Sequence, residues 1–393
     1  MTLLRSTLTT SSLPSSPPPS RILFFGTDDF SLPSLERLHA LISDPTSSIS
    51  SVDVVTTSDV RRTPKAKPTP VPVKKFALEH KLTVHEIPSG LSPLQLEDNW
   101  SCPSDFDLGV VVSFGYFVPK PVLSSLRLGA INVHPSLLPA YRGAAPITWA
   151  MLRDDDVTGV SIIEVDPEAF DSGGILLQVE EPVHPDEMYT DLRQRLSTMG
   201  ADCLQAAIRN MELGMRPNLL QRDGQDTPAW KLTQRHGRVR FTVPFDTQKK
   251  QLRCGNLNLN DAPSSRELYN RWRALSESVG IWVDWLQHDD DGEHKNTVEL
   301  RLVEVGPPET FDTTSSVPTH DDASLLIGTI VWCKKTKRAM LKCAPSREND
   351  WTADRNKQWV ELKKLQLPGK KILDSLDFAN GQRLKKNPIL RLY

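Results

Sequence analysis

The run Asn132-Val133-His134-Pro135-Ser136-Leu137-Leu138-Pro139 sets an amide two residues before an imidazole, and Asp171-Ser172-Gly173-Gly174 adds a carboxylate 39 positions after Asn132. A neutral amide N–H, a protonated imidazole and a carboxylate that holds the imidazole charged or removes a proton form a set able to stabilise negative charge on an acyl oxygen. Each residue alone has a plainer reading: His134 as a surface or hydrogen-bonded core histidine, Asn132 as a turn residue, Asp171 as a turn cap. Asp166 competes for the carboxylate role but precedes Pro167. Pro135 biases His134 toward extended backbone, which restricts where its ring can point.

The elements that must carry these groups follow from hydrophobic period. Arg21 to Phe25 reads as a buried strand ending at Gly26-Thr27, and Phe30, Leu32, Leu35, Leu38 and Leu41 recur near helical spacing. Val52 to Thr56, Thr83 to Ile87, Phe106 to Val112 and Gly129 to Val133 read as further strands, with Val73 to His80 and Pro119 to Leu126 as helices between them. This alternation predicts an α/β domain with a Rossmann-like parallel sheet. His134 then lies just past the carboxyl end of a strand, where such sheets place ligands. Val157 to Val165 and Gly174 to Glu181 read as later strands, and Asp186 to Leu213 as a long closing helix. Gly26-Thr27-Asp28-Asp29 lacks dinucleotide GxGxxG spacing.

The predicted division is a presequence or disordered tail over 1–20, a catalytic domain over 21–213, a linker over 214–235 and a second domain over 236–393. The linker lacks periodicity and carries Pro217, Gly224 and Pro228. Beyond it, short strand-like runs (Arg238 to Val243, Gly280 to Leu286, Thr297 to Val305, Leu325 to Trp332, Ala339 to Cys343, Gln358 to Leu365) and one helix, Ser265 to Glu277, predict a small β-barrel. His288 to Lys295 and Pro307 to Asp322 read as polar loops.

The chain has 393 residues and a formal net charge of -2, yet Val331 to Tyr393 holds 16 Lys and Arg against 6 Asp and Glu. A basic tail fits either a solvated face or a polyanionic partner. Five scattered cysteines with no CxxC pair disfavour a disulfide framework or structural zinc, and no metal is called for. No apolar run reaches the roughly 18 residues that a membrane helix needs, so no membrane partner is expected. Residues 1–20 are rich in Ser, Thr and Pro with Arg5 their only charge, a composition that fits a mitochondrial presequence or a disordered tail. Cytoplasm and plastid stay open as locations.

At these residues the chain resembles the folate-dependent formyltransferases, whose hallmark is an Asn and a His ahead of an SLLP loop and an Asp before a Ser/Thr-Gly pair. Within that superfamily it is most similar to the methionyl-tRNA formyltransferase family, through Gly26-Thr27-Asp28-Asp29-Phe30, Tyr141-Arg142-Gly143-Ala144-Ala145-Pro146-Ile147, Leu365-Gln366-Leu367-Pro368-Gly369-Lys370-Lys371 and Asn380-Gly381-Gln382-Arg383-Leu384. The likeness covers residues 21–213 and the closing signature; the loop from Ser58 to Lys75 is basic but lacks the family's Gly-Arg-Gly.

The resemblance implies transfer of a formyl group from 10-formyltetrahydrofolate to the α-amino group of methionyl-initiator tRNA, with an OB-like barrel as the tRNA-binding domain. Asn132 and His134 are the implied oxyanion donors and Asp171 their carboxylate. Phe114, Gly115, Tyr116, Ser136, Leu137, Leu138 and Pro139 are the implied folate wall. Arg61, Arg62, Lys65, Lys67, Lys334, Lys335, Lys370, Lys371, Arg383 and Lys385 are the implied tRNA contacts. A monomer with no DNA partner is expected. A nucleotide-sugar or glycinamide ribonucleotide formyltransferase, a formate-releasing hydrolase and a catalytically idle RNA-binding protein of the same fold remain as alternatives.

Overall fold

The computed structural model describes residues 17–61, 65–88, 103–221, 226–241, 253–254, 257–258, 263–288, 294–309, 326–344, 358–382, 384 and 389–392. By packing, the chain divides into two units that interleave in sequence. Met1–Ile147, Val157–Val183 and Thr190–Ala229 make the first unit; Thr148–Asp156, His184–Tyr189 and Trp230–Tyr393 make the second.

Among the described residues, the first unit is built on seven strands: β1 Arg21–Gly26, β2 Ser51–Thr57, β3 Val84–Ile87, β4 Leu108–Val112, β5 Ala130–His134, β6 Val157–Glu164 and β7 Ile175–Pro182. They lie in the order β3-β2-β1-β4-β5-β6-β7. From β3 to β5 the pairings are parallel, and the near-continuous burial of β1 and β4 is what a sheet covered on both faces demands. The expected parallel sheet is extended at its far end by two strands of the other sense, since β6 runs antiparallel to β5 and β7 antiparallel to β6. For β7 against β6 the physical reason is loop length. Only ten residues join β6 to β7, too few for a parallel crossover, which takes a dozen or more.

The helix Leu32–Ile42 buries Leu35, Leu38 and Leu41 against the sheet, as their spacing predicts. The helix Tyr189–Glu212 buries Leu192, Leu196, Cys203, Leu204, Ile208 and Met211. Its Gly200 is the point of closest approach to β5, for a Cβ there would meet Val133 Cγ1 at 2.8 Å. Side chains alternate across a strand. With Val133 turned to this helix, Asn132 and His134 share the opposite face of β5.

Among the described residues of the second unit, β8 Arg238–Val239, β9 Arg253–Cys254, β10 Leu257–Asn258, β11 Ile281–His288, β12 His294–Val305, β13 Thr329–Cys333, β14 Arg338–Lys342, β15 Trp359–Gln366, β16 Ile372–Asp374 and β17 Ile389–Arg391 are the strands. The main sheet runs β17-β13-β14-β15-β12-β11-β8 with β16 on β15, and a bridge from Trp285 in β11 to Leu392 curls it back on itself, as a barrel requires. β11 and β12 extend to His288 and His294, so strand occupies most of the flanks of what reads in sequence as a polar loop. The strand expected from Leu325 begins only at Thr329, after Gly328 at φ 84, and Leu326 is exposed. Most of the second loop, from residue 310, lies outside the described residues.

Candidate active site

β5 ends in the site. Asn132 pairs with Ile163 and His134 with Ser161 of β6, so the strand that carries both donors is fixed on that side by the antiparallel ladder. Asp171 arrives from the β6–β7 loop. Its Oδ1 accepts a hydrogen bond from Asn132 Nδ2 at 3.1 Å and faces His134 Nδ1 at 3.6 Å, while its Oδ2 accepts from the Gly143 backbone N–H at 2.9 Å. The structure therefore brings together the three side chains singled out in sequence. His134 is 4% exposed, which removes bulk water from one flank of its ring.

The ring's orientation is chemically determined. His134 Nε2 lies 2.9 Å from the Tyr141 carbonyl oxygen, which can only accept, so Nε2 carries a hydrogen and donates. The nitrogen left for chemistry is Nδ1, beside Asp171. Asn132 spends one of its two amide N–H groups on Asp171 and keeps the other.

The Asp171 loop is shaped by its small residues. A Cβ on Gly173 would sit 1.9 Å from the Glu164 carbonyl oxygen, so only glycine fits there, and one on Gly174 would displace the Asn218 side chain, whose Oδ1 would lie 1.7 Å away. Asp171 itself takes φ 52, the left-handed region that side chains rarely adopt. Asp166, the competing carboxylate, organises the turn: its Oδ1 accepts from the backbone N–H of Glu168 at 2.7 Å and Ala169 at 3.3 Å, and its Oδ2 from Ser172 Oγ at 3.0 Å. Chiefly the Glu168 N–H holds the Asp166 carboxyl below its ordinary value.

The SLLP loop is stitched from behind. Ser161 Oγ donates to the Ser136 carbonyl at 2.6 Å and accepts from Leu138 N at 3.1 Å, and Gln178 Nε2 donates to the Leu138 carbonyl at 3.0 Å. Of the expected folate wall, Ser136 is fully buried, Leu138 packs with Ile163 and Ile175, and Phe114 meets Phe25 edge-on at 5.3 Å inside the core. The side chains of these three are turned into the protein interior. Gly115, Tyr116, Leu137 and Pro139 remain only partly buried or exposed. Gly115 sits at φ 78 with open space about it, and Phe170, 66% exposed, meets Phe117 edge-on at 5.0 Å next to Asp171. Open backbone near an exposed ring and a half-buried one fits a flat, hydrogen-bonding pterin. Phe117 and Phe170 escaped the sequence reading; a lone aromatic in a loop gives no period to detect.

The expected tRNA contacts divide. Arg61, Lys65 and Lys67 are exposed on a loop closed by the Val60–Thr69 bridge, whereas Lys74 turns inward to Asp59 at 2.5 Å and Glu86 at 2.8 Å. Lys334 and Lys335 are exposed in the β13–β14 turn, and Lys370 and Lys371 in the β15–β16 turn. Among the described residues no ion pair engages these four. Arg62, Arg383 and Lys385 lie outside the described residues.

Comparison with known proteins agrees with this architecture. Residues 20–208 match the family model described as "Formyl transferase" and residues 262–383 the one described as "Formyl transferase, C-terminal domain". The methionyl-tRNA formyltransferase of Chlorobium limicola is 30% identical over 95% of this chain and 100% of its own, and the mitochondrial methionyl-tRNA formyltransferase of Homo sapiens is 28% identical over 93% of this chain and 78% of its own. A solved N-formyltransferase from Helicobacter canadensis, in complex with folinic acid and dTDP-3-aminofucose, shares the fold with a TM-score of 0.53 at 12% identity, covering 87% of this chain and 98% of that one. The fold and the site thus define a formyl transferase. The chain belongs to the methionyl-tRNA formyltransferase family.

Proposed function

We propose that this chain transfers the formyl group of 10-formyltetrahydrofolate to the α-amino group of methionyl-initiator tRNA, acting as a monomer in mitochondria. The observation that carries the reaction is the convergence of Asn132, His134 and Asp171 at the end of β5 in a chain of this family. When bound, the folate supplies the formyl group. The free Asn132 N–H and a protonated His134 Nδ1 are the donors for negative charge developing on the acyl oxygen, with Asp171 Oδ1 as the counter-charge to the imidazolium. Asp171 would pass the proton of the attacking amine, through water, to the folate nitrogen that departs as its bond to the formyl carbon breaks. An α-amino group with a pKa of about 8 is partly neutral at working pH, so the nucleophile needs little activation. Gly115, Tyr116, Leu137 and Pro139 would hold the folate. The mitochondrial setting is supported by the composition of residues 1–20 and by mitochondrial relatives.

The test is a transfer assay with radiolabelled formyl donor, offering methionyl-initiator tRNA and an amino-sugar nucleotide in competition. Formylation of the tRNA, lowered on the order of 10²- to 10³-fold in kcat by His134→Ala, is the expected result. Preferential labelling of the sugar nucleotide, or tRNA binding without turnover, rejects it.

A further inference from the structure

Behind Asp171 lies a second polar group. The Gln221 side chain donates through Nε2 to the carbonyl oxygens of Asp171 at 2.7 Å and Gly173 at 2.9 Å, and accepts through Oε1 from Arg142 Nε at 3.0 Å and Nη2 at 2.6 Å. Two N–H groups and two lone pairs are all that a carboxamide has, so the four bonds saturate it. Its orientation follows: carbonyls accept only, guanidinium N–H groups donate only.

Arg142 is fixed in turn. Its backbone N–H donates to the Thr227 carbonyl at 2.9 Å and its carbonyl accepts from Ala229 N at 2.7 Å. The next peptide N–H, that of Gly143, is the one on Asp171 Oδ2. A Cβ on Gly143 would sit 2.7 Å from the Ala229 carbonyl oxygen, and its φ of 124 belongs to glycine. The hydrogen bonds therefore close a ring: from the Asp171 backbone through Gln221 and Arg142 to Gly143, and back to the Asp171 carboxylate.

We infer that Gln221 and Arg142 form a clamp that holds Asp171 in register with Asn132 and His134, which makes both positioning residues for formyl transfer. The inference rests on the role proposed above for Asp171. The need for a clamp is geometric. Asp171 occupies a left-handed conformation that persists only where its surroundings impose it. Neither side chain is among the groups at the proposed reaction centre, so their effect must pass through Asp171. A misplacement of about 1 Å is enough to cost 10²-fold in rate.

The experiment measures kcat and both KM values for the full chain with methionyl-tRNA and formyl donor, in wild type, Gln221→Ala, Gln221→Glu, Asp171→Asn and the Gln221→Ala/Asp171→Asn double variant, with thermal unfolding of each. Gln221→Ala and the near-isosteric Gln221→Glu, which cannot donate to the two carbonyls, are expected to lose about 10- to 100-fold in kcat with both KM values within about threefold of wild type. The double variant is expected to fall little below Asp171→Asn, because positioning has no value once the positioned group is gone. A Gln221→Glu variant with wild-type kcat, or losses that multiply in the double variant, overturns the clamp while leaving Asp171 in place. Asp171→Asn with wild-type kcat overturns the clamp together with the reading beneath it.

Discussion

At the scale of single residues, the sharpest feature of the site is which nitrogen His134 presents to it. The Tyr141 carbonyl takes Nε2, so Nδ1 is the nitrogen that faces Asp171 and, in the proposed reaction, the acyl oxygen. A side-chain amide nitrogen in asparagine reaches roughly where Nδ1 stands, and that of glutamine reaches roughly where Nε2 stands. His134→Asn should therefore keep a neutral donor in place and lose less kcat than His134→Ala, whereas His134→Gln should fall as far as alanine, on the order of 10²-fold or more. Equal rates for the asparagine and glutamine variants would place the donor elsewhere. The pairing of Asn132 with His134 was legible in sequence because i and i+2 share a face of any strand. Asp171 was legible through family resemblance, since nothing local ties it to β5. Burial was not legible: Phe114, Ser136 and Leu138 have the composition of a ligand wall, and only the packing beneath the loop shows them turned inward. Gln221 gave no signal at all, because a residue whose value lies in four hydrogen bonds to distant chain has no periodicity of its own.

At the scale of elements, the segment after the long helix changes meaning most. Its want of hydrophobic period and its prolines describe a linker, yet Leu219 pairs with Ile175, and Thr227 and Ala229 bond to both sides of Arg142. Irregular backbone satisfied by other irregular backbone leaves no pattern for sequence to read. The antiparallel run of β6 and β7 was recoverable from the short connection; the barrel's many short strands were recoverable from turn spacing. Further along, His236 caps the 3-10 turn Gln234–Gly237, with its Nδ1 accepting from Thr233 N at 2.9 Å and its ring edge-on to Trp149 at 5.6 Å. Burial lowers its pKa below 6.5 and outweighs the Thr233 carbonyl, which acts the other way. The fold thus favours neutral His236. That contribution is fully present above pH 6.5 and is lost as pH falls below 6.5 through the depressed value. Thermal unfolding followed from pH 7.5 to 5 should show a steeper decline for wild type than for His236→Asn, which keeps an acceptor and does not titrate; parallel curves would remove His236 from the acid response.

At the scale of the whole molecule, a net charge of -2 gives no general attraction to a polyanion, so any grip on tRNA must come from where the cations stand. Much of the basic charge of the second unit is spent internally. Arg338 pairs with Glu309 and with Glu361, and Lys363 and Lys364 both reach Glu304, at 3.8 and 2.6 Å. Lys334, Lys335, Lys370 and Lys371 are exposed at hairpin turns, where long side chains extend freely from a rigid strand pair. Gly369, at φ 66, makes the tight turn that presents Lys370 and Lys371 side by side. Phosphate contacts by such residues release counterions, so each contributes close to one unit to the slope of log affinity against log salt. Reversing both, Lys370→Glu with Lys371→Glu, should weaken tRNA binding, flatten that slope by about 2, and leave the KM for the formyl donor unchanged, because the residues assigned to folate belong to the first unit. Filter binding of initiator tRNA from 50 to 200 mM salt gives the slope directly. An affinity and slope equal to wild type would assign the turn to solvent and shift the search for the acceptor-arm contact to Lys334 and Lys335.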